Sequence, residues 1–128
     1  MSVRIVRLGT ARHPQEGTRI GTVRRPPRGV PKAEFSRQNW YDVWFPTLAP
    51  SAETMKLGQA ATTPAAWARF TQAYKAEMAQ PAAKHATQLL AALSHTMNFS
   101  VGCYCEDESH CHRSILRQLL SDSGAEIA

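Results

Sequence analysis

The 128-residue sequence predicts a small single-domain α/β layered fold, with a short, largely parallel sheet flanked by helices. Three observations carry this. Val3–Leu8 and Arg19–Val23 alternate apolar and polar residues with the period of strands, whereas Trp67, Phe70, Tyr74 and Met78 recur at the three- and four-residue steps of one helix face. A further strand-like stretch, Asn98–Tyr104, follows two helices, and a long crossover of that kind joins parallel strands in a right-handed connection. The 43% hydrophobic content supplies one core, so residues 1–128 are expected to form one domain.

Each element has its local reason. After the first strand, Gly9–Thr18 contains Gly9, Pro14 and Gly17 and reads as a loop. The second strand is ended by Pro26 and Pro27, which donate no ladder hydrogen bond. Lys32–Trp44 carries Phe35, Trp40, Tyr41 and Trp44 at mixed spacings and is read as irregular. Thr63 and Pro64 form an N-cap and first helical residue, opening a helix that runs to about Met78. Its aromatic stripe at this spacing is read as core packing. Pro81 opens the next helix, with Leu89, Leu90 and Leu93 expected to face inward and a frayed end near His95. The last helix is expected from about Cys111 to Leu120, with Gly124 as its terminator.

The net charge of +5 is uneven. Residues 1–40 hold nine basic residues against Glu16 and Glu34, a balance of +7, and the remainder sums to −2. Such asymmetry draws anionic partners, although a solvated basic face is the equal alternative. No run of eighteen apolar residues is present, and Arg4 and Arg7 interrupt the N-terminus, so the expectation is a cytoplasmic protein with no membrane partner. Three cysteines cannot close a disulfide framework and suit a reducing compartment.

The densest chemistry lies between Gly102 and Arg113, which holds all three cysteines together with His110 and His112. It joins a strand to a helix, and ligands of open α/β sheets settle at such turns. A thiolate at Cys111 would be stabilised by the start of the last helix and by Arg113, which makes Cys111 a candidate nucleophile; the plain alternative is a buried cysteine that only packs. His112 is the candidate general acid or base. Cys103, Cys105, Cys111 and either His110 or His112 could make a tetrahedral zinc site. The Cys-x-Cys spacing lacks the longer turn and second pair of usual zinc knuckles, so no metal and no cofactor are expected.

An anion site draws on more of the chain: Arg24 and Arg28, around the rigid Pro26-Pro27 turn, are expected to converge with Arg113 on a phosphate or carboxylate, with Cys103 and Cys105 beside it. Pairing of Arg113 with Glu106, Asp107 or Glu108 is the structural alternative. No Gly-rich phosphate loop is present. Trp40, Tyr41 and Trp44 near the basic segment raise nucleic-acid binding as the rival, and a non-catalytic interaction module is a third class. No helix-turn-helix, zinc-finger or RNA-recognition signature accompanies the tryptophans.

Cys103, the polar run Glu106–Cys111, then His112-Arg113 and the apolar Ile115-Leu116 resemble the C-terminal signature of the bacterial family known as domain of unknown function 488. Arg19-Ile20, Arg24, Pro27-Arg28-Gly29, Trp44, Pro50-Ser51 and the helix bearing Trp67, Phe70, Tyr74, Glu77 and Met78 resemble its shorter, YeaO-like branch, over about residues 19–121. The resemblance implies the family and names no reaction. Two positions depart from the pattern: Val23 stands where the branch often has an aspartate, and Cys105 where the signature has a glutamate. Any acid–base role of those carboxylates is therefore not carried over.

Overall fold

The computed structural model describes residues 1–128. Four strands, β1 (Val3–Arg7), β2 (Thr18–Gly21), β3 (Val43–Trp44) and β4 (Phe99–Cys103), form one sheet in the order β1-β4-β2-β3. Every pairing is parallel, with Val3 and Thr18 both opposite Phe99 and Ile20 opposite Val43. The α/β reading therefore holds, including the parallel return of the late strand. β4 lies between β1 and β2 and all five of its residues are buried, as a strand covered on both faces requires.

Four helices complete the chain: α1 (Ala52–Ala60), α2 (Pro64–Met78), α3 (Pro81–Leu93) and α4 (His112–Asp122). Alternation along β4 sends Phe99 and Val101 toward the helices, where they join Val3, Leu48, Phe70, Tyr74, Leu90, Leu116 and Leu120 in the main core. A smaller core of Leu8, Val23, Tyr41, Cys103 and Cys111 sits at the carboxyl end of the strands, with Phe35, Trp40 and Tyr104 packed on it. At the other end of the molecule Gly124 ends α4 in the left-handed region (φ +91°), and the tail then turns back so that Val3 bonds Glu126 and Ala128.

Three details differ from the sequence expectation. α1 was not anticipated, because its one buried residue is Thr54 and no apolar stripe marks it; its signal is the Ser51 N-cap, whose side chain accepts from the Thr54 N–H at 3.2 Å. β3 is a two-residue edge strand inside the segment read as irregular. Leu89 points to solvent, 60% exposed, while its neighbours Leu90 and Ala91 take the buried face of α3. A helix buries a stripe, and two adjacent leucines stand about 100° apart around it.

Candidate functional site

Parallel strands place their carboxyl ends at one edge, and there β4 hands over to α4 through the turn 104–111. Gly102 makes the approach tight: a Cβ on it would lie 2.6 Å from the Leu8 side chain and 2.9 Å from the Val6 carbonyl, so no larger residue fits. The turn is shaped by the Asp107 side chain, which accepts from the Ser109 N–H at 2.9 Å, and by Arg117, which donates to Glu108 at 2.7 Å. Cys111 is the N-cap of α4, but its side chain makes no capping hydrogen bond; its sulfur is turned to the site.

His112 is buried, and its Nε2 lies 2.8 Å from the Thr22 carbonyl. A carbonyl only accepts, so Nε2 carries the proton and Nδ1 presents a lone pair. That lone pair lies 3.8 Å from the Cys111 sulfur. The Cys103 and Cys105 sulfurs are 3.7 Å apart, and the donor atoms of Cys103, Cys111 and His112 all lie within 4.8 Å of one another. Hydrogen bonding from Cys103 and Cys105 pushes the Cys111 thiol far below its ordinary range against the opposing effect of burial. The same contacts push Cys103 in the opposite direction, so one thiolate is concentrated on Cys111. Such a cluster can attack an electrophile, move a proton at Nδ1, or donate to a soft cation.

Arg113 is buried beneath this turn. Its Nη2 donates to the Cys105 carbonyl at 2.5 Å, its Nε has no partner, and it forms none of the pairs considered with Glu106, Asp107 or Glu108. Glu108 pairs with Arg117 instead.

A cavity of about 250 Å³ opens beside the cluster, with Cys103, Cys105, Cys111 and His112 at one end. Trp67 and Phe70 stack along its wall with ring centroids 4.7 Å apart, and Met55 and Gly58 of α1 complete that side. Arg24 and Arg25 reach its lining. Arg24 is anchored, with Nε donating to the Pro50 carbonyl at 3.2 Å and Nη2 to the Ala49 carbonyl at 3.1 Å, which leaves Nη1 without a hydrogen bond to the protein. Below it, Glu77 locks α2 to α1 by accepting from Ser51 and Thr54.

The structure thus brings Arg24, Cys103, Cys105, Cys111 and His112 to one cavity. Arg28 lies apart, in an open groove of about 590 Å³ with Arg7, Arg25 and Trp40. Tyr104 and Arg25 line both depressions. Much of the basic N-terminal segment is spent internally: Arg19 is fully buried against Glu16, Arg12 pairs with Asp42, and Arg37 with Glu34. The sequence reading did not reach Trp67, Phe70, Met55 or the Thr22 carbonyl as parts of the site. An aromatic stripe at helical spacing reads as core, and Phe70, Tyr74 and Met78 are core here, with Trp67 packed against them.

A family model described as the active DUF488-N3 subclade, DUF488-N3a, matches residues 3–124. No curated protein and no solved structure matches the chain.

Proposed function

Because the chain belongs to the DUF488 family, in its N3a subclade, we propose that its site binds a small ligand with a flat apolar body and a negatively charged group, and that Cys111 and His112 act on that ligand. One observation carries the reading: the Trp67–Phe70 stack, the free edge of Arg24 and the Cys111–His112 pair line a single cavity. An apolar pocket with a few convergent polar groups is the usual form of a small-molecule site. The stacked rings receive the flat body, Arg24 meets the charge, and the sulfur and Nδ1 face the reacting part. The description of the subclade as active fits a site of this kind.

The test is a thermal-shift and calorimetric titration with aromatic carboxylates and small organic phosphates. At least one class should stabilise the wild type, and Arg24→Met should weaken binding by about tenfold or more, the scale of a lost charge-assisted hydrogen bond. Binding indifferent to Arg24→Met, or none at all, overturns the reading.

A second reading rests on the open groove, where Arg7, Arg25 and Arg28 stand beside Trp40. Guanidiniums next to an aromatic face suit the backbone and bases of a single-stranded nucleic acid. Retention of single-stranded DNA or RNA at low salt, falling steeply with added salt and lost in Arg28→Ala, would favour it. Absence of retention at low salt removes it.

A further inference from the structure

We propose that Cys103, Cys105, Cys111 and Nδ1 of His112 bind one thiophilic divalent cation of the zinc class. The inference deepens the chemical end of the site proposed above, and rests on that reading only in placing chemistry at this end of the cavity. It departs from the expectation drawn from spacing, since a Cys-x-Cys pair is short for a zinc knuckle. Folding supplies what spacing does not: the turn 104–111 carries Cys111 back over Cys103, and α4 swings His112 under both.

Four independent features support the site. First, the distances suit one ion. Zinc–sulfur bonds of about 2.3 Å and zinc–nitrogen bonds of about 2.0 Å give tetrahedral edges of about 3.8 Å between sulfurs and about 3.5 Å between sulfur and nitrogen. Cys103 and Cys105 are 3.7 Å apart, Cys111 Sγ is 3.8 Å from Nδ1, and the donor atoms of Cys103, Cys111 and His112 all lie within 4.8 Å of one another; Cys105 stands outside that triad and has to turn in from the cavity side to complete the shell. Second, the histidine is prepared as a ligand: the Thr22 carbonyl fixes the Nε2 proton, which turns the Nδ1 lone pair to the sulfurs. Third, the donors are soft, three sulfurs and an imidazole, which select zinc over magnesium or calcium. Fourth, Arg113 is 97% buried with no carboxylate partner, yet donates to the carbonyl of Cys105. Three thiolates around a dication carry one net negative charge, and that charge would lie against a buried guanidinium that has no carboxylate partner.

Cys111 already being the thiolate, binding releases the protons of Cys103 and Cys105 to solvent and forms three sulfur–metal bonds and one nitrogen–metal bond, with no change of oxidation state. Cys105 is the exposed member of the set and closes the shell from the cavity side. Its replacement opens one coordination position toward the stacked rings.

The experiment uses the full chain, purified reduced and without a histidine tag. Metal analysis should find about one equivalent of zinc, and the chelator-stripped protein should take up one equivalent of cobalt(II) with thiolate charge transfer and tetrahedral visible bands. Cys105→Ser should keep one site but lose about a third of the charge-transfer absorbance, one sulfur of three. Cys111→Ser should abolish the tetrahedral spectrum. Should Cys111→Ser fail to fold, zinc protection of the wild-type thiols from iodoacetamide, reversed by chelator, reads the same site. Arg24→Met separates the two proposals: it should take up cobalt unchanged while losing the ligand-induced thermal shift. Absence of stoichiometric metal and of charge transfer, or a spectrum that survives Cys111→Ser, overturns the inference.

Discussion

Two buried polar clusters flank β4, and they differ in how fully their hydrogen-bonding capacity is used. Around Ser100 on β4, the Arg19 guanidinium donates to Glu16 through Nε at 2.6 Å and Nη2 at 3.0 Å, and through Nη1 to the Thr10 and Asn39 carbonyls. Ser100 donates to the same carboxylate at 2.7 Å, and the His13 N–H adds a longer bond at 3.3 Å. Past Cys103, by contrast, a buried guanidinium keeps an idle Nε, an imidazole turns its lone pair to sulfur, and the N-cap of α4 makes no side-chain cap. A saturated cluster has nothing left to offer a ligand. An unsaturated one costs stability unless a guest completes it, which is why the second cluster, and not the more highly charged first, is the candidate site.

The sharpest way to break this comparison is Glu16→Ala. It strands the Arg19 charge in the interior, and removal of one partner from a buried pair costs about 3–5 kcal/mol. Urea denaturation should read that loss, with the wild-type chevron or midpoint as reference. The pH dependence carries the same information. Burial raises the Glu16 carboxyl, but hydrogen bonds from Arg19 and Ser100 outweigh it and hold the group below its ordinary value of 4.5. A depressed folded pKa means stability that is present above the unfolded value and lost as pH falls through the folded one. Wild-type stability should therefore drop below about pH 4.5, with Asp42 and Glu77, also held low, acting in the same direction. Glu16→Ala should flatten that slope by about one proton. A destabilisation under about 1 kcal/mol would mean the pair is dispensable and the contrast with the cysteine cluster is false.

Arg113→Met should behave in the opposite way. The side chain is as buried as Arg19 but makes a single hydrogen bond, so exchange for an apolar residue of similar reach should change the stability of the metal-stripped protein by no more than about 1 kcal/mol. The loss should appear instead in cobalt affinity and in ligand binding. A cost comparable to that of Glu16→Ala would make Arg113 a structural residue and remove it from the site.

What the sequence disclosed follows the same division. Periodic segments were legible: the strands around Ile5 and Val101 and the helix opened by Pro64 show an apolar pattern that matches the buried face, whereas β2 buries the charged Arg19 beside a half-buried Ile20, and the helix opened by Pro81 leaves Leu89 in solvent. α1 was not, because a helix that buries only Thr54 leaves a capping serine as its one local mark. The cysteine–histidine cluster was legible as a concentration of reactive side chains on a strand-to-helix turn. Its interior arrangement was not, since the Thr22 carbonyl that orients His112 comes from ninety residues away and a backbone carbonyl has no sequence signature. Nor could the run of arginines show which would be consumed: Arg19 and Arg28 sit in the same basic stretch, yet one is fully buried in an ion pair and the other stands in an open groove.

The smallest effect is expected at the third ion pair of the basic segment, and it isolates burial from charge. Arg12 meets Asp42 through two bonds of 2.9 Å, a fork as good in form as that between Arg19 and Glu16. Both partners are about a quarter exposed, so water already solvates the charges and the net gain on pairing is small. Arg12→Ala should cost about 0.5–1 kcal/mol, and the cost should shrink further in high salt, which screens an exposed pair and leaves a buried one nearly untouched. Asp42 stays useful without it, since it also accepts from the Arg19 N–H at 2.8 Å and from the Ser36 hydroxyl. Urea midpoints for Arg12→Ala and Glu16→Ala, taken at low and high salt, therefore form the decisive pair of measurements. Equal losses, or equal salt sensitivity, would show that pairing alone anchors the basic segment and that burial adds nothing, and the distinction between the two clusters around β4 would lose its physical basis.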